Sequence, residues 1–173
     1  LNKLLSGVGI YRLTENEKLI SIMLKGKETP NRMTISYQFS IEGTNTPFST
    51  DISDGLKSVL FPNKETWWGH GLIGMGHETT IFLRNTSHSP TKTKMSAGTL
   101  TIYTKANKKT FNIEVDAESL QVINLTDYTH EMEIDLSVKN FLSYIIKMDQ
   151  PSCDTFWVSY DRVSGNVLGD HGY

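Results

Sequence analysis

Cysteine is nearly absent: Cys153 is the only one in 173 residues. A lone thiol excludes an internal disulfide and any thiolate-rich zinc site, and it reads as a small buried or half-buried side chain. A chain of this length can bury a continuous core without such staples. No apolar run approaches the roughly 18 residues that a membrane-spanning helix needs. The opening LNKLLSGVGIYRL also lacks the apolar stretch and cleavage site of a secretory signal, so no membrane span is expected. An excess of either charge is missing too, with 17 basic against 19 acidic residues and a formal net charge of −2. Such a balance offers no broad attraction to phosphate backbones, and general nucleic-acid binding is not expected.

The common catalytic signatures are also missing. There is no G-x-S-x-G elbow, no P-loop and no C-x-x-C. Gly69-His-Gly-Leu-Ile-Gly74 spells G-x-G-x-x-G, but a strand-like run starting at Thr79 follows where a dinucleotide site requires a helix. Small residues there serve a sharp bend or a close backbone approach. His70, His77 and His88 are candidates to converge on a metal, and His77-Glu78 begins an H-E-x-x-H. Ile81 stands where the second histidine belongs, so two ligands on one helical turn are not available. His77-Glu-Thr79 fits an H-x-T phosphoesterase element with no second copy. Glu65, Glu78, Asp161 and Asp170 are the carboxylates available for acid–base work, and each also suits a solvated surface. Neither a metal nor a cofactor is expected.

What the chain does carry is alternation. In Met33-Thr-Ile-Ser-Tyr-Gln-Phe-Ser-Ile41 apolar residues take every odd position, the signature of a strand with one wet face. Similar patterns recur at 19–24, 79–84, 99–104, 110–115, 120–125, 131–136, 141–148 and 156–160. Turn formers separate them, as at Ser53-Asp-Gly55, Ala106-Asn-Lys-Lys109 and Arg162-Val-Ser-Gly165. About nine short strands with such spacing predict an all-β fold, an antiparallel β-sandwich or jelly roll. A short helix over 138–147 is the main local alternative. Residues 47–76, poor in strand pattern, read as one long central loop over an end or face of the sandwich. One β-sandwich domain over residues 1–173 is expected, and the start at Leu1 and the stop at Tyr173 read as those of a processed or excised part of a longer protein. Two N-x-S/T sequons, at Asn85 and Asn124, arise at about the frequency that chance gives.

Trp67 and Trp68 are the most informative pair. Adjacent residues of an extended chain point to opposite faces, so one indole can enter the core while the other faces out. An outward tryptophan beside glycine, histidine and polar neighbours is an apolar plate with a polar rim, which suits the C–H face of a sugar or a nucleobase. Trp67, Trp68 and His70 are expected to form the plate, with Asn63, Glu65, His77 and Arg84 as its hydrogen-bonding rim.

The segment Phe156-Trp-Val-Ser-Tyr-Asp161, followed by Gly165-Asn-Val-Leu-Gly169, resembles the closing signature of the invertebrate domain named after farnesoic acid O-methyltransferase. Phe156, Trp157, Ser159, Asp161, Gly165 and Gly169 carry the match, which covers the last third of the chain. The family's glycine-tryptophan-glycine-asparagine stretch is missing between Ile134 and Ser143. The resemblance implies a small all-β recognition module of secreted or surface proteins, not a methyltransferase, and so a soluble protein that is secreted or surface-exposed. The same FW segment also reads simply as two strands joined by a turn at Gly165.

Three functions follow as expectations. The first is a non-enzymatic recognition module that binds carbohydrate or a host or cell-surface ligand through loop aromatics. The second is a structural or assembly domain, such as a viral coat, spike or tail component, self-associating as a homo-oligomer. The third is a glycan or phosphoester hydrolase using His70 or a carboxylate.

Overall fold

The computed structural model describes residues 33–39, 48–54, 65–85, 94–150 and 153–171. The strands are β1 (Met33–Phe39), β2 (Phe48–Asp54), β3 (Thr66–Ile73), β4 (His77–Asn85), β5 (Ser96–Tyr103), β6 (Lys108–Val115), β7 (Ser119–Asn124), β8 (Asn140–Met148), β9 (Cys153–Asp161) and β10 (Val167–His171). Eight of them form two four-stranded antiparallel sheets, one in the order β3-β8-β5-β6 and the other β10-β9-β4-β7, while β1 and β2 pair as a separate hairpin. The all-β sandwich architecture expected from the alternation is therefore present. Inward residues of both sheets make the core: Trp67, Ile73, Leu100, Ile102, Leu142, Tyr144 and Ile146 from one side, Ile81, Leu83, Ile123 and Trp157 from the other.

Four local expectations need correction or placing. Candidate strand 19–24 lies outside the described residues. Segment 131–136 is not a strand: the turn His130–Met132 is 3-10 and Glu133 is left-handed at φ 54°. Its amides find local acceptors, Met132 N and Ile134 N both donating to the Thr129 carbonyl, so no neighbouring strand is required. Residues 138–147 are not helical, since β8 lies in the middle of its sheet between β3 and β5. The long central loop is interrupted by two strands, β2 and β3.

Strand β3 escapes a reading by periodicity because two of its inward positions are glycines. A Cβ on Gly69 would lie 2.5 Å from the Tyr144 hydroxyl, and one on Gly71 would lie 2.8 Å from Leu125 Cδ1. The apolar partner that would have revealed the period of two is thus supplied from elsewhere, by Tyr144 of β8 and by Leu125 of the 3-10 turn Leu125–Tyr128, whose side chains fill the space above each glycine. The G-x-G-x-x-G run is packing geometry followed by a turn. Met75 (φ 52°) and Gly76 (φ 86°) form that turn, closed by Gly74 N donating to His77 O at 3.0 Å and His77 N to Gly74 O at 3.1 Å. Two consecutive positive φ values are the type I′ pattern, and here the turn carries the chain from one sheet to the other.

The two sheets are also tied by polar contacts. The buried Thr79 hydroxyl accepts from Leu72 N at 2.9 Å and lies 2.8 Å from Ser159 Oγ. At the opposite end of β4, buried Asn85 donates through Nδ2 to the carbonyls of Lys94 at 2.7 Å, Asp116 at 3.2 Å and Val115 at 3.4 Å.

Trp67 is 1% exposed and Trp68 45% exposed, so their truncations should differ sharply. Trp67→Ala is expected to cost about 3–5 kcal/mol in urea unfolding, and Trp68→Ala about 1 kcal/mol or less. Equal losses would contradict the strand assignment of β3.

Candidate functional site

Residues paired across an antiparallel ladder share a face, so the register defines what the outer surface of the β3-β8-β5-β6 sheet presents. One row across it is Thr66, Lys147, Thr99 and Asn112; the next is Trp68, Ile145, Thr101 and Thr110. The third is His70, Ser143, Tyr103 and Lys108, and Leu72 with Phe141 begins a fourth. Aromatic rings thus crowd the corner made by β3, β8 and β5, and hydroxyl groups fill the remainder.

The rings touch. The His70 ring meets Trp68 edge-on, centroids 5.6 Å apart at 74°, and lies against Phe141 at 5.3 Å and 29°. Nδ1 of His70 and the Ser143 hydroxyl are 3.1 Å apart and hydrogen-bonded, which fixes the imidazole between the two larger rings. Phe141 is 65% exposed, an unusual placement for a phenyl ring unless something covers it. Next to this cluster the Thr101 and Thr110 hydroxyls are 2.9 Å apart. An apolar plate flanked by hydroxyl and amide groups on a rigid sheet is an arrangement that can stack against a ring and bond its edge substituents.

Of the described residues picked out by sequence, Trp68 and His70 meet on this face and the others do not. Trp67 is a core residue, its indole buried against the second sheet. Asn63 lies outside the described residues. Glu65 is exposed just before β3, on the alternation of Trp67 rather than Trp68, and its carbonyl accepts from Met148 N at 2.9 Å. His77 is half-buried at the start of β4. Arg84 sits on the outer face of the other sheet, ion-paired to Asp154 at 2.7 Å. Among the described residues the expected rim is therefore not assembled, and the plate lies on strands rather than on a loop. Phe141, Ser143, Tyr103 and Thr101 were missed because the outward positions of β8 mix apolar Phe141 and Ile145 with polar Ser143 and Lys147, and β5 is threonine-rich. The fact that β3 is a strand paired with β8 is the signal that joins them.

Two of the four carboxylates considered for acid–base work, Glu78 and Asp161, are occupied in other ways. Glu78 is bonded by Arg162 and Tyr160, and the Arg162 hydrogen bond holds its pKa below the usual carboxylate range against the opposing effect of burial. Asp161 accepts from Ser164 Oγ at 2.6 Å and Val163 N at 2.9 Å, which lowers its pKa as well. Neither is tuned upward as a general acid must be. Among the described residues no three His, Cys, Asp or Glu side chains gather as metal ligands, and His88 lies outside them. Nor is any helix among them long and apolar enough to cross a membrane.

The fold and the face define an antiparallel β-sandwich with an aromatic and hydroxyl-bearing sheet surface. No family model matches the chain, and no curated protein shows significant similarity to it. A solved structure, the crystal structure of Thermotoga maritima 1070, is similar in fold, with a TM-score of 0.50 at 13% identity over 63% of this chain and 92% of that one. At that identity the likeness concerns the fold alone.

Glu78 gives a pH dependence of known sign. Its pKa is lower in the folded protein than in the unfolded chain, so the stability it contributes is complete above the ordinary glutamate value of about 4.3 and declines as pH falls through the depressed folded value. Stability measured by urea unfolding should therefore fall below about pH 5 in the wild type, and Glu78→Gln should lose stability at neutral pH while showing a shallower acid decline. Parallel pH profiles for the two proteins would remove this role.

Proposed function

We propose that the protein is a non-enzymatic recognition module whose ligand is a carbohydrate, bound on the outer face of the β3-β8-β5-β6 sheet. The observation that carries this reading is the ring cluster Trp68, His70 and Phe141, exposed on a rigid sheet beside Ser143, Thr101 and Thr110. Sugars present an apolar C–H face ringed by hydroxyls, and this surface offers the complement of both parts. The resemblance of residues 156–169 to the farnesoic-acid-type β domain points in the same direction, toward a secreted or surface-exposed recognition module.

Titration of the tryptophan fluorescence against a glycan panel tests it. A saturable change is expected, weakened about tenfold or more by Trp68→Ala through loss of a stacking contact of roughly 1–3 kcal/mol. Retained affinity in a folded Trp68→Ala protein would count against the site.

A second reading, an assembly domain, has its own observation. Met75, Leu136, Val138 and Val163 are all exposed around the β3–β4 turn. Met75 N bonds the Leu136 carbonyl at 2.9 Å, and Gly74 and Gly76 approach Val138 and Val163. A contiguous apolar rim of this kind marks contact surfaces. Sedimentation at tens of micromolar separates the readings. An oligomer dispersed by Met75→Glu, with no glycan bound, would favour assembly.

A further inference from the structure

We infer that the ligand of this face is an anionic oligosaccharide, one carrying uronate carboxylates or sulfate esters, and that Lys147 and Lys108 select it. The inference rests on the reading of the face as a glycan-binding surface and adds the charge and the length of the ligand.

The argument begins with the distribution of charge. The chain as a whole is slightly acidic, with a formal charge of −2. The three complete rows of the outer face nevertheless contain two lysines and no carboxylate: Lys147 between Thr66 and Thr99, and Lys108 beside Tyr103. Both lysines are exposed, and neither forms an ion pair with a described residue. The nearest carboxylates in the register, Glu114 opposite Ala97 and Asp149, lie beyond the first row at one end of the sheet. Asp149 is already committed, accepting from Ser96 Oγ at 2.7 Å and Ala97 N at 3.0 Å. Lys105 in the β5–β6 turn adds a further exposed cation at the Lys108 corner.

Geometry then sets the length. Lys147 and Lys108 are two strands and two rows apart, a Cα separation of roughly 17 Å by ideal sheet spacing. The diagonal between them passes over Thr101, whose hydroxyl bonds that of Thr110, with Trp68 and His70 to one side. With both side chains upright the ammonium groups lie too far apart for one sugar, whereas a short oligosaccharide with acidic groups on separate residues spans them. Single-stranded nucleic acid has the same combination of rings and anions, but a backbone-tracking groove needs a row of cations. Two lysines set two strands and two rows apart with hydroxyls between them do not make one.

Matched ligands provide the test, read by isothermal titration and fluorescence at low and high sodium chloride. One pair is tetragalacturonate and its methyl ester, and a second is unsulfated and sulfated chondroitin oligosaccharides, which separates uronate from sulfate as the source of charge. Oligo(dT) is run beside them. The more highly charged member of at least one pair should bind about tenfold tighter at low salt, with the advantage shrinking as salt rises. The Lys108→Ala/Lys147→Ala double variant should lose that advantage and keep the affinity of the neutral methyl ester, whereas Trp68→Ala should weaken every ligand.

Equal binding within both pairs, or a preference that survives the double variant, overturns the charge selection and leaves the glycan site standing. Tighter binding of oligo(dT) than of any glycan overturns it in favour of nucleic acid. If no member of either pair binds, the glycan reading and this inference fall together.

Discussion

The hydroxyl of Thr79 holds the end of the sandwich on which the site depends. It is fully buried, it bonds the Leu72 backbone of one sheet, and it reaches Ser159 of the other. That contact is possible only because β3 lies so close to the second sheet that a Cβ on Gly71 would approach Thr79 and Leu125 to within 3.2 and 2.8 Å. The missing side chain is what lets an edge strand dock tightly. Once docked, β3 has no rotational freedom: Trp67 and Ile73 must face in, and Trp68 and His70 must face out. The platform is a by-product of how closely two backbones are allowed to approach.

The two outer faces are chemically unlike, although both belong to four-stranded antiparallel sheets. On the β10-β9-β4-β7 side the polar groups satisfy one another, Arg84 with Asp154 and Glu78 with both Tyr160 and Arg162, while Phe82 and Phe156 stack at 4.7 Å. That face is rich in charge but closed electrostatically, and exposed pairs of this kind contribute modestly to stability. On the other face Lys147 and Lys108 lack described ion-pair partners and the Phe141 ring is largely exposed. Charge that is already neutralised supports a structure, while charge left over after folding is available to a ligand.

Much of the architecture was legible from alternation alone, and the places where legibility failed share a cause. Strands β4, β5, β6, β8 and β9 announced themselves because each keeps apolar residues at inward positions. Strand β3 did not, because Tyr144 and Leu125 occupy the space its own side chains would have filled. Segment 131–136 gave the opposite error, alternating without pairing, since Met132 reaches the core from a 3-10 turn. The split of Trp67 from Trp68 was readable from the geometry of an extended chain. The grouping of Arg84 and His77 with them was not sound, because proximity in a sandwich is decided by which sheet a strand joins, and sequence order does not reveal that.

Asn85 closes the far end of the same strand as firmly as Thr79 closes the near end, and its Nδ2 is the atom to which a glycosyltransferase of the secretory pathway would attach a glycan. In the finished fold that nitrogen is buried and shared among three carbonyls. A glycan there and the closed sandwich are mutually exclusive. Production of this chain in a secreting eukaryotic host would therefore become a race between folding and modification, one that bacterial cytoplasmic production never runs.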